Sequence, residues 1–277
     1  MYQLKKINLD EVWQKEQGWN ADKKFGRKYE DYKELEFWEK LAPHYSEQFN
    51  LFRDVPGLRE KVEGFIEENS RMIDLGCGTG NFALPLASHC NEILALDFSP
   101  AMLRELSIQI QKQNITNIRN ICSKWEDFSA PYDSDYVLAV NSLYRICDMR
   151  KALKKIAFYS RSGFLIVRTL YRPIMHDMYE KLNLDYKRNN DYMLMPLMLW
   201  DMGINVNVDF MYYYRQKIYD SWEQAEADIV QDLGELSYLN YNNRLQEKFF
   251  QQVEKTGKGY IYRSRRAVEV ITWKKFK

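Results

Sequence analysis

The hydrophobic pattern of this chain changes character twice. Residues 1 to about 68 carry apolar side chains at helical spacing. Leu35, Trp38, Leu41, Tyr45 and Phe49 recur along Glu30 to Asn50, and Val62, Phe65 and Ile66 share a face of Leu58 to Glu68. Pro43 lacks an N–H and should break the first of these stretches in two. From Met72 the apolar runs shorten and end in turn residues. Met72–Leu75, Ile93–Asp97, Asn117–Cys122, Tyr136–Val140 and Phe164–Arg168 read as five strands. Helical stretches separate them: Phe82 to His89, Ala101 to Lys112 and Asp148 to Tyr159. Pro85 falls near the first turn of one helix. Ser99-Pro100 supplies an N-cap and a proline at the first position of another.

Beyond residue 170 the regularity weakens. Residues 173 to 204 read as a Met- and Leu-rich helical insertion, and Val206 to Ile218 as a Tyr-rich strand. Trp222 to Leu236 and Leu245 to Lys255 read as helices, and Tyr260 to Trp273 alternates as a final strand. Strands alternating with helices imply right-handed crossovers and a parallel sheet covered on both faces. The expected fold is therefore α/β, a doubly wound Rossmann-like sheet with an N-terminal helical cap and helical insertions near the C-terminal strands. The expected organisation is a cap over 1–68, a ligand-binding core over 69–170, and inserted helices with the last two strands over 171–277.

The chemistry concentrates after the first strand, in Asp74-Leu75-Gly76-Cys77-Gly78-Thr79-Gly80. Glycines between a strand and a helix allow a tight turn and a close ligand approach, and the helix end beyond receives an anionic group. A dinucleotide fingerprint would need glycine at position 81, where Asn81 stands, and a phosphate-binding P-loop would need Gly-Lys-Ser/Thr, which is absent. Asp74 at the mouth of the strand would repel a pyrophosphate. It suits a ligand bearing an ammonium and a sulfonium.

These residues resemble class I S-adenosylmethionine-dependent methyltransferases, whose first motif is Asp-x-Gly-x-Gly-x-Gly. Asp97, in Asp97-Phe98-Ser99-Pro100-Ala101-Met102-Leu103, resembles the family's second motif, an acid that grips the ribose hydroxyls. Ser123-Lys124-Trp125-Glu126 resembles the adenine-binding turn, with Lys124 where many members place Asp. The resemblance covers roughly residues 35 to 170. It implies S-adenosyl-L-methionine as cofactor and S-adenosyl-L-homocysteine as product. It implies a cofactor site of Asp74, Gly76, Cys77, Gly78, Gly80, Asp97, Phe98 and Met102, with Trp125 or Glu126 at the adenine and Asn141 also in contact. Tyr45 resembles the aromatic of the N-terminal lid helix in small-molecule methyltransferases.

Methyl transfer needs a nucleophile aligned with an already activated methyl group, and a base where the acceptor carries a proton. In doubly wound sheets the reacting groups lie beyond the carboxyl ends of the strands. Here that is Asn141-Ser142-Leu143-Tyr144-Arg145, where Tyr144 is the candidate catalytic base. Proline is missing after Asn141, Cys147 follows Ile146, and no Asp occurs in this segment. These features set the chain apart from adenine N6, cytosine C5 and metal-dependent catechol-type enzymes. Tyr192 to Trp200 reads either as an adaptable apolar pocket wall or as a buried helix face. Arg263, Arg265 and Arg266 could bind phosphate, although strand alternation puts two of the three on a solvated face.

Composition adjusts this picture in three places. An aromatic share of 15%, with 20 Tyr, predicts a pocket or cap rich in rings. A formal net charge of +1 offers no field for nucleic acid or an anionic membrane. Cys77, Cys90, Cys122 and Cys147 are scattered without a Cys-x-x-Cys pair, the pattern of reduced thiols in a cytoplasmic protein with no metal site. The N-terminus lacks the apolar region of a signal peptide, and no apolar run spans a bilayer. The expected protein is a cytoplasmic methyltransferase, monomer or homodimer, acting on a small-molecule acceptor. The alternatives are an RNA or protein methyltransferase, and a non-catalytic module that keeps only cofactor binding.

Overall fold

A computed structural model describes residues 7–20, 26–129, 132–186, 191–257 and 259–275. The helical reading of residues 1–6, 21–25 and 187–190 lies outside them. The chain forms two units. The first comprises Met1–Arg168, Asp191–Met211 and Glu269–Lys277, the second Thr169–Asn190 and Tyr212–Val268.

The strands of the first unit are β1 (Arg71–Leu75), β2 (Glu92–Asp97), β3 (Ile118–Cys122), β4 (Tyr136–Val140) and β5 (Gly163–Thr169), the last of these but for its final residue. Two longer strands, β6 (Asn207–Tyr219) and β8 (Gly259–Lys274), have residues in both units, and β7 (Val253–Thr256) belongs to the second. The sheet order is β3-β2-β1-β4-β5-β8-β6, with β7 paired to β8. The pairs β1/β2, β1/β4, β2/β3 and β4/β5 are parallel. Ile73 stands level with Leu94 and Val137, and all three side chains are buried. Strands covered on both faces need such unbroken apolar runs. Each side chain fully buried in this way contributes roughly 1.5–3 kcal/mol.

The order reverses between β1 and β4. Crossovers lead one way to β2 and β3 and the other way to β5, so the loops after β1 and β4 part and leave a crevice. Two N-terminal helices approach that crevice. Leu9–Glu16 is capped by the Asn8 side chain, and its fully buried Trp13 donates from the indole to the Ile146 carbonyl at 2.8 Å. Asp31–Leu41 ends where Ala42-Pro43-His44 tightens into a 3₁₀ turn, so Pro43 does interrupt the helical run. Trp38 and Tyr45 from this segment pack on Ala101 and Met102, at the start of the helix Pro100–Lys112.

The Met-rich run forms a 3₁₀ turn, Asp191–Met193, and the helix Leu194–Asp201. Met195, Met198 and Leu199 are buried in the core of the first unit, so this run is a core helix face.

The second unit packs His176–Lys181, Trp222–Leu233 and Glu235–Gln252 around an aromatic core with Phe249 among its buried rings. Tyrosines can be buried there because their hydroxyls find acceptors. Tyr179 donates to Asp232 at 2.9 Å, Tyr219 to Asp228 at 2.7 Å and Tyr262 to Asp177 at 2.8 Å. The helix expected over Leu245 to Lys255 begins earlier and stops at Gln252. Val253–Thr256 instead pairs antiparallel with the start of β8, Val253 level with Tyr262 and Thr256 with Gly259. Gly257 and Gly259 signal a chain reversal in the sequence, and the strand pairing overrides the helical periodicity of the residues before it.

Candidate active site

The loop after β1 takes its shape from glycine. Gly76 and Gly78 have φ of 70° and 55°, a left-handed conformation that L side chains resist. A Cβ on Gly76 would lie 2.2 Å from the Cβ of Ser142, in the loop after β4. The two strand ends can approach so closely only because position 76 has no side chain. Gly78 has more room, with Tyr45 as its nearest neighbour at 3.7 Å.

Asp97, the last residue of β2, is tied to this loop. One carboxylate oxygen accepts from the Gly78 N–H at 2.9 Å and the other from the Ser99 N–H at 2.8 Å. Each oxygen keeps a lone pair for a further donor. Burial raises the pKa of Asp97 above the usual carboxylate value. Asp74 lies deeper and is 2% exposed. Burial, with the neighbouring Asp97 charge adding to it, pushes Asp74 up to about 7. Its Oδ2 has no hydrogen-bond partner. Two under-solvated carboxylates side by side favour a ligand that brings hydroxyl donors and positive charge.

A cavity of about 650 Å³ opens over this loop. Gly76, Gly78, Asp97, Phe98 and Met102 line it from the β1 and β2 side, and Asn141, Ser142, Tyr144 and Arg145 from the loop after β4. Ser123 to Glu126 line it after β3. Tyr45 reaches it from the cap, where burial and the Asp97 charge raise its pKa. Asp74, Cys77 and Gly80 support the loop from outside the cavity lining. Cys77 is buried, and a Cβ on Gly80 would strike Leu106 at 2.5 Å. Asn141 holds a φ of 51°, a strained backbone at the mouth of β4.

Four candidates acquire definite surroundings. Trp125 is 4% exposed, donates its indole N–H to the Ala152 carbonyl at 3.2 Å and stacks on Phe128. Glu126 is exposed at the rim. Lys124, where an adenine acceptor stands in the resembling family, pairs its ammonium with Asp31 of the cap. Tyr144 donates its hydroxyl to Glu34. Burial, then the Glu34 hydrogen bond and charge, raise the Tyr144 pKa well above that of a free phenol. A phenol so held keeps its proton near neutral pH.

The cap contributes cavity residues that sequence reasoning did not single out: Trp19, Lys28, Tyr29, Asp31 and Tyr32. Asp31 receives both Lys124 and Arg145, the latter at 2.9 Å, and the Lys124 hydrogen bond leads in lowering its pKa. Lys28 donates to the Gln17 side chain, and burial lowers its pKa to about 8 against the opposing pull of Asp191. Trp19 and Tyr29 meet edge to face at 4.9 Å. The only advance signal of this wall was the Tyr-rich composition.

Comparisons with known proteins bear on the family and the fold. A family model described as a methyltransferase domain matches residues 66–226. An uncharacterised protein of Haemophilus influenzae is 25% identical over 175 residues, 62% of this chain and 65% of its own length. The 23S rRNA (uracil(1939)-C(5))-methyltransferase RlmD of Francisella tularensis subsp. novicida is 35% identical over 66 residues, 22% of this chain and 15% of its own. The chain thus spans less than two thirds of either relative. Among solved structures, YcgJ of Bacillus subtilis superposes with a TM-score of 0.52 at 18% identity, covering 80% of this chain and 97% of that one. That likeness is one of fold. With the family match, the sheet order and the glycine loop together, the chain belongs to the methyltransferase-domain family, in the class I S-adenosylmethionine-dependent group.

Proposed function

We propose that the chain moves the methyl group of S-adenosyl-L-methionine to a small-molecule acceptor held in the same cavity, against the cap. The observation that carries this reading is the shared lining. Gly76, Gly78 and Asp97 border one continuous cavity with Trp19, Lys28, Tyr29 and Tyr32. A volume of about 650 Å³ lies within the usual range for small-molecule sites, roughly 300–1,000 Å³. A cap folded over the opening favours an enclosed acceptor rather than a polymer.

The residues fit the donor molecule by their chemistry. The free lone pairs of Asp97 suit the ribose hydroxyls, and its carboxylate, with Asp74 behind the loop, suits a cationic methionine portion. Phe98 and Met102 offer apolar surface for the adenine, and Tyr45 closes over Gly78. The donor supplies a methyl group already activated on sulfur. The protein's part is to align the acceptor and exclude water. Tyr144, bound to Glu34, acts in this reading by fixing the cap rather than by taking a proton. Lys28, whose pKa burial lowers to about 8, is the better candidate for proton transfer. In this reading the N-terminal cap covers the cavity and the glycine-loop core binds the donor.

The experiment uses donor labelled on its methyl group, incubated with the protein and a cell extract separated into small-molecule, RNA and protein pools. Label in the small-molecule pool supports the proposal. Label in the RNA or protein pool assigns the acceptor to a polymer instead. Calorimetric binding of donor and product without label transfer to any pool would make the chain a non-catalytic binding module.

A further inference from the structure

The three arginines near the C-terminus separate on β8. Arg263 is exposed and pairs with Glu254 at 2.6 Å, and Arg265 lies 3.9 Å over the Tyr212 ring. Arg266 lines a different cavity, of about 290 Å³, formed entirely within the second unit. We propose that this cavity binds a small phosphate-type oxyanion, held by Arg266 together with Arg172, Arg215 and Lys217.

The cavity brings four cationic side chains together with two carboxylates, Asp228 and Asp232. Both carboxylates are committed. Asp228 accepts from Lys217 at 2.5 Å and from Tyr219 at 2.7 Å, and Asp232 accepts from Tyr179 at 2.9 Å. Arg172 pairs with Glu180 at 3.3 Å and gives its backbone carbonyl to Arg266. Arg266 itself has no carboxylate within ion-pair distance among the described residues, and its Nε is buried with no hydrogen-bond partner. A guanidinium cannot escape burial by losing its proton, so one without a direct anionic partner favours an added anion. Burial works against its charge and Arg215 adds like-charge repulsion, while Asp177 and Asp232 attract it only from beyond ion-pair distance. The planar fork matches the oxygens of an oxyanion, and the neighbouring Arg172, Arg215 and Lys217 add positive charge around it. The small volume favours inorganic phosphate or a small monoester.

This site is independent of the methyl-transfer reading and is tested separately. Protein saturated with S-adenosyl-L-homocysteine is titrated calorimetrically with inorganic phosphate, with glycerol phosphate, with acetate and with a short oligonucleotide. The expected result is saturable binding of phosphate or its monoester, stronger than acetate. Arg215→Ala and Arg266→Met should each weaken it by about tenfold or more. Arg266→Lys keeps the charge without the fork and serves where the methionine variant does not fold. Absence of saturable phosphate binding at millimolar concentration overturns the proposal, as does affinity unchanged in Arg215→Ala and Arg266→Lys. Tighter binding of the oligonucleotide through the same residues would overturn the small-anion assignment.

Discussion

The Tyr144 hydroxyl donates to Glu34, a carboxylate with 0% exposure that also holds Arg27 at 3.0 Å and the Trp38 indole at 2.7 Å. A loop beyond the sheet is thereby fastened to the cap helix Asp31–Leu41. Removing a donor from a buried charge costs about 1–3 kcal/mol. Tyr144→Phe should therefore lower stability by about that amount in denaturant titrations while retaining product binding. Its pH–rate profile should keep the shape of the parent's. A basic limb lost in the variant would instead assign the transferred proton to Tyr144.

Asp97 anchors the glycine loop and, in the proposed function, the ribose. Asp97→Ala removes acceptors for the Gly78 and Ser99 N–H groups as well as for the ligand. Hydrogen bonds to charged groups are worth about 1.5–3 kcal/mol, or roughly tenfold to a hundredfold in affinity. Calorimetry with S-adenosyl-L-homocysteine should show a loss of that size. Unchanged affinity would remove Asp97 from the site.

The two glycines should respond differently to alanine. Gly76→Ala adds a methyl 2.2 Å from Ser142 to a left-handed backbone, so the loops after β1 and β4 must part. Gly78→Ala meets the backbone penalty, about 1–2 kcal/mol, with its nearest neighbour at an ordinary 3.7 Å. Thermal melts should rank Gly76→Ala as the more destabilised. Equal melting temperatures would contradict the close approach at Ser142.

Glu269 provides a pH test away from the cavity. It is buried, and both carboxylate oxygens lack hydrogen-bond partners. Burial raises its pKa to about 7, against the pull of Arg168 at 4.0 Å. A carboxyl raised in the folded state holds its proton more tightly there than in the unfolded chain. Its contribution is therefore complete below the unfolded value, about 4.3, and is lost as pH rises through about 7. Glu269→Gln should flatten the decline in melting temperature over that window and melt higher than the parent above it. A parallel shift across the whole range would remove Glu269 as its source.

The fold and the glycine loop were legible because their signals are local. Asp74, Gly76, Gly78 and Asp97 lie within 24 consecutive residues, and each strand announces itself by its own apolar run. The cap wall was not legible in the same way. Asp31 meets Lys124 across 93 positions, and Glu34 meets Tyr144 across 110. No periodicity encodes such pairs, which exist only once the cap has packed. The strand Val253–Thr256 was missed for a related reason. Its residues continue a helical pattern, and only their pairing with Gly259 to Tyr262 makes them a strand.

Asp31 also has a kinetic consequence. One side chain of the cap holds two cations from two different loops of the core, Lys124 after β3 and Arg145 after β4. All three groups retain solvent contact, with side-chain exposures of 48%, 35% and 16%. Mobile ions therefore compete with the cluster. The latch weakens as ionic strength increases, although the cofactor-facing glycines are uncharged. Exchange of ligand with bulk solvent should accelerate in salt more than its equilibrium affinity falls, and Asp31→Asn should already exchange fast at low salt. Stopped-flow tryptophan fluorescence would read this difference. The cap's grip would then be a rate set by the medium as much as by the sequence.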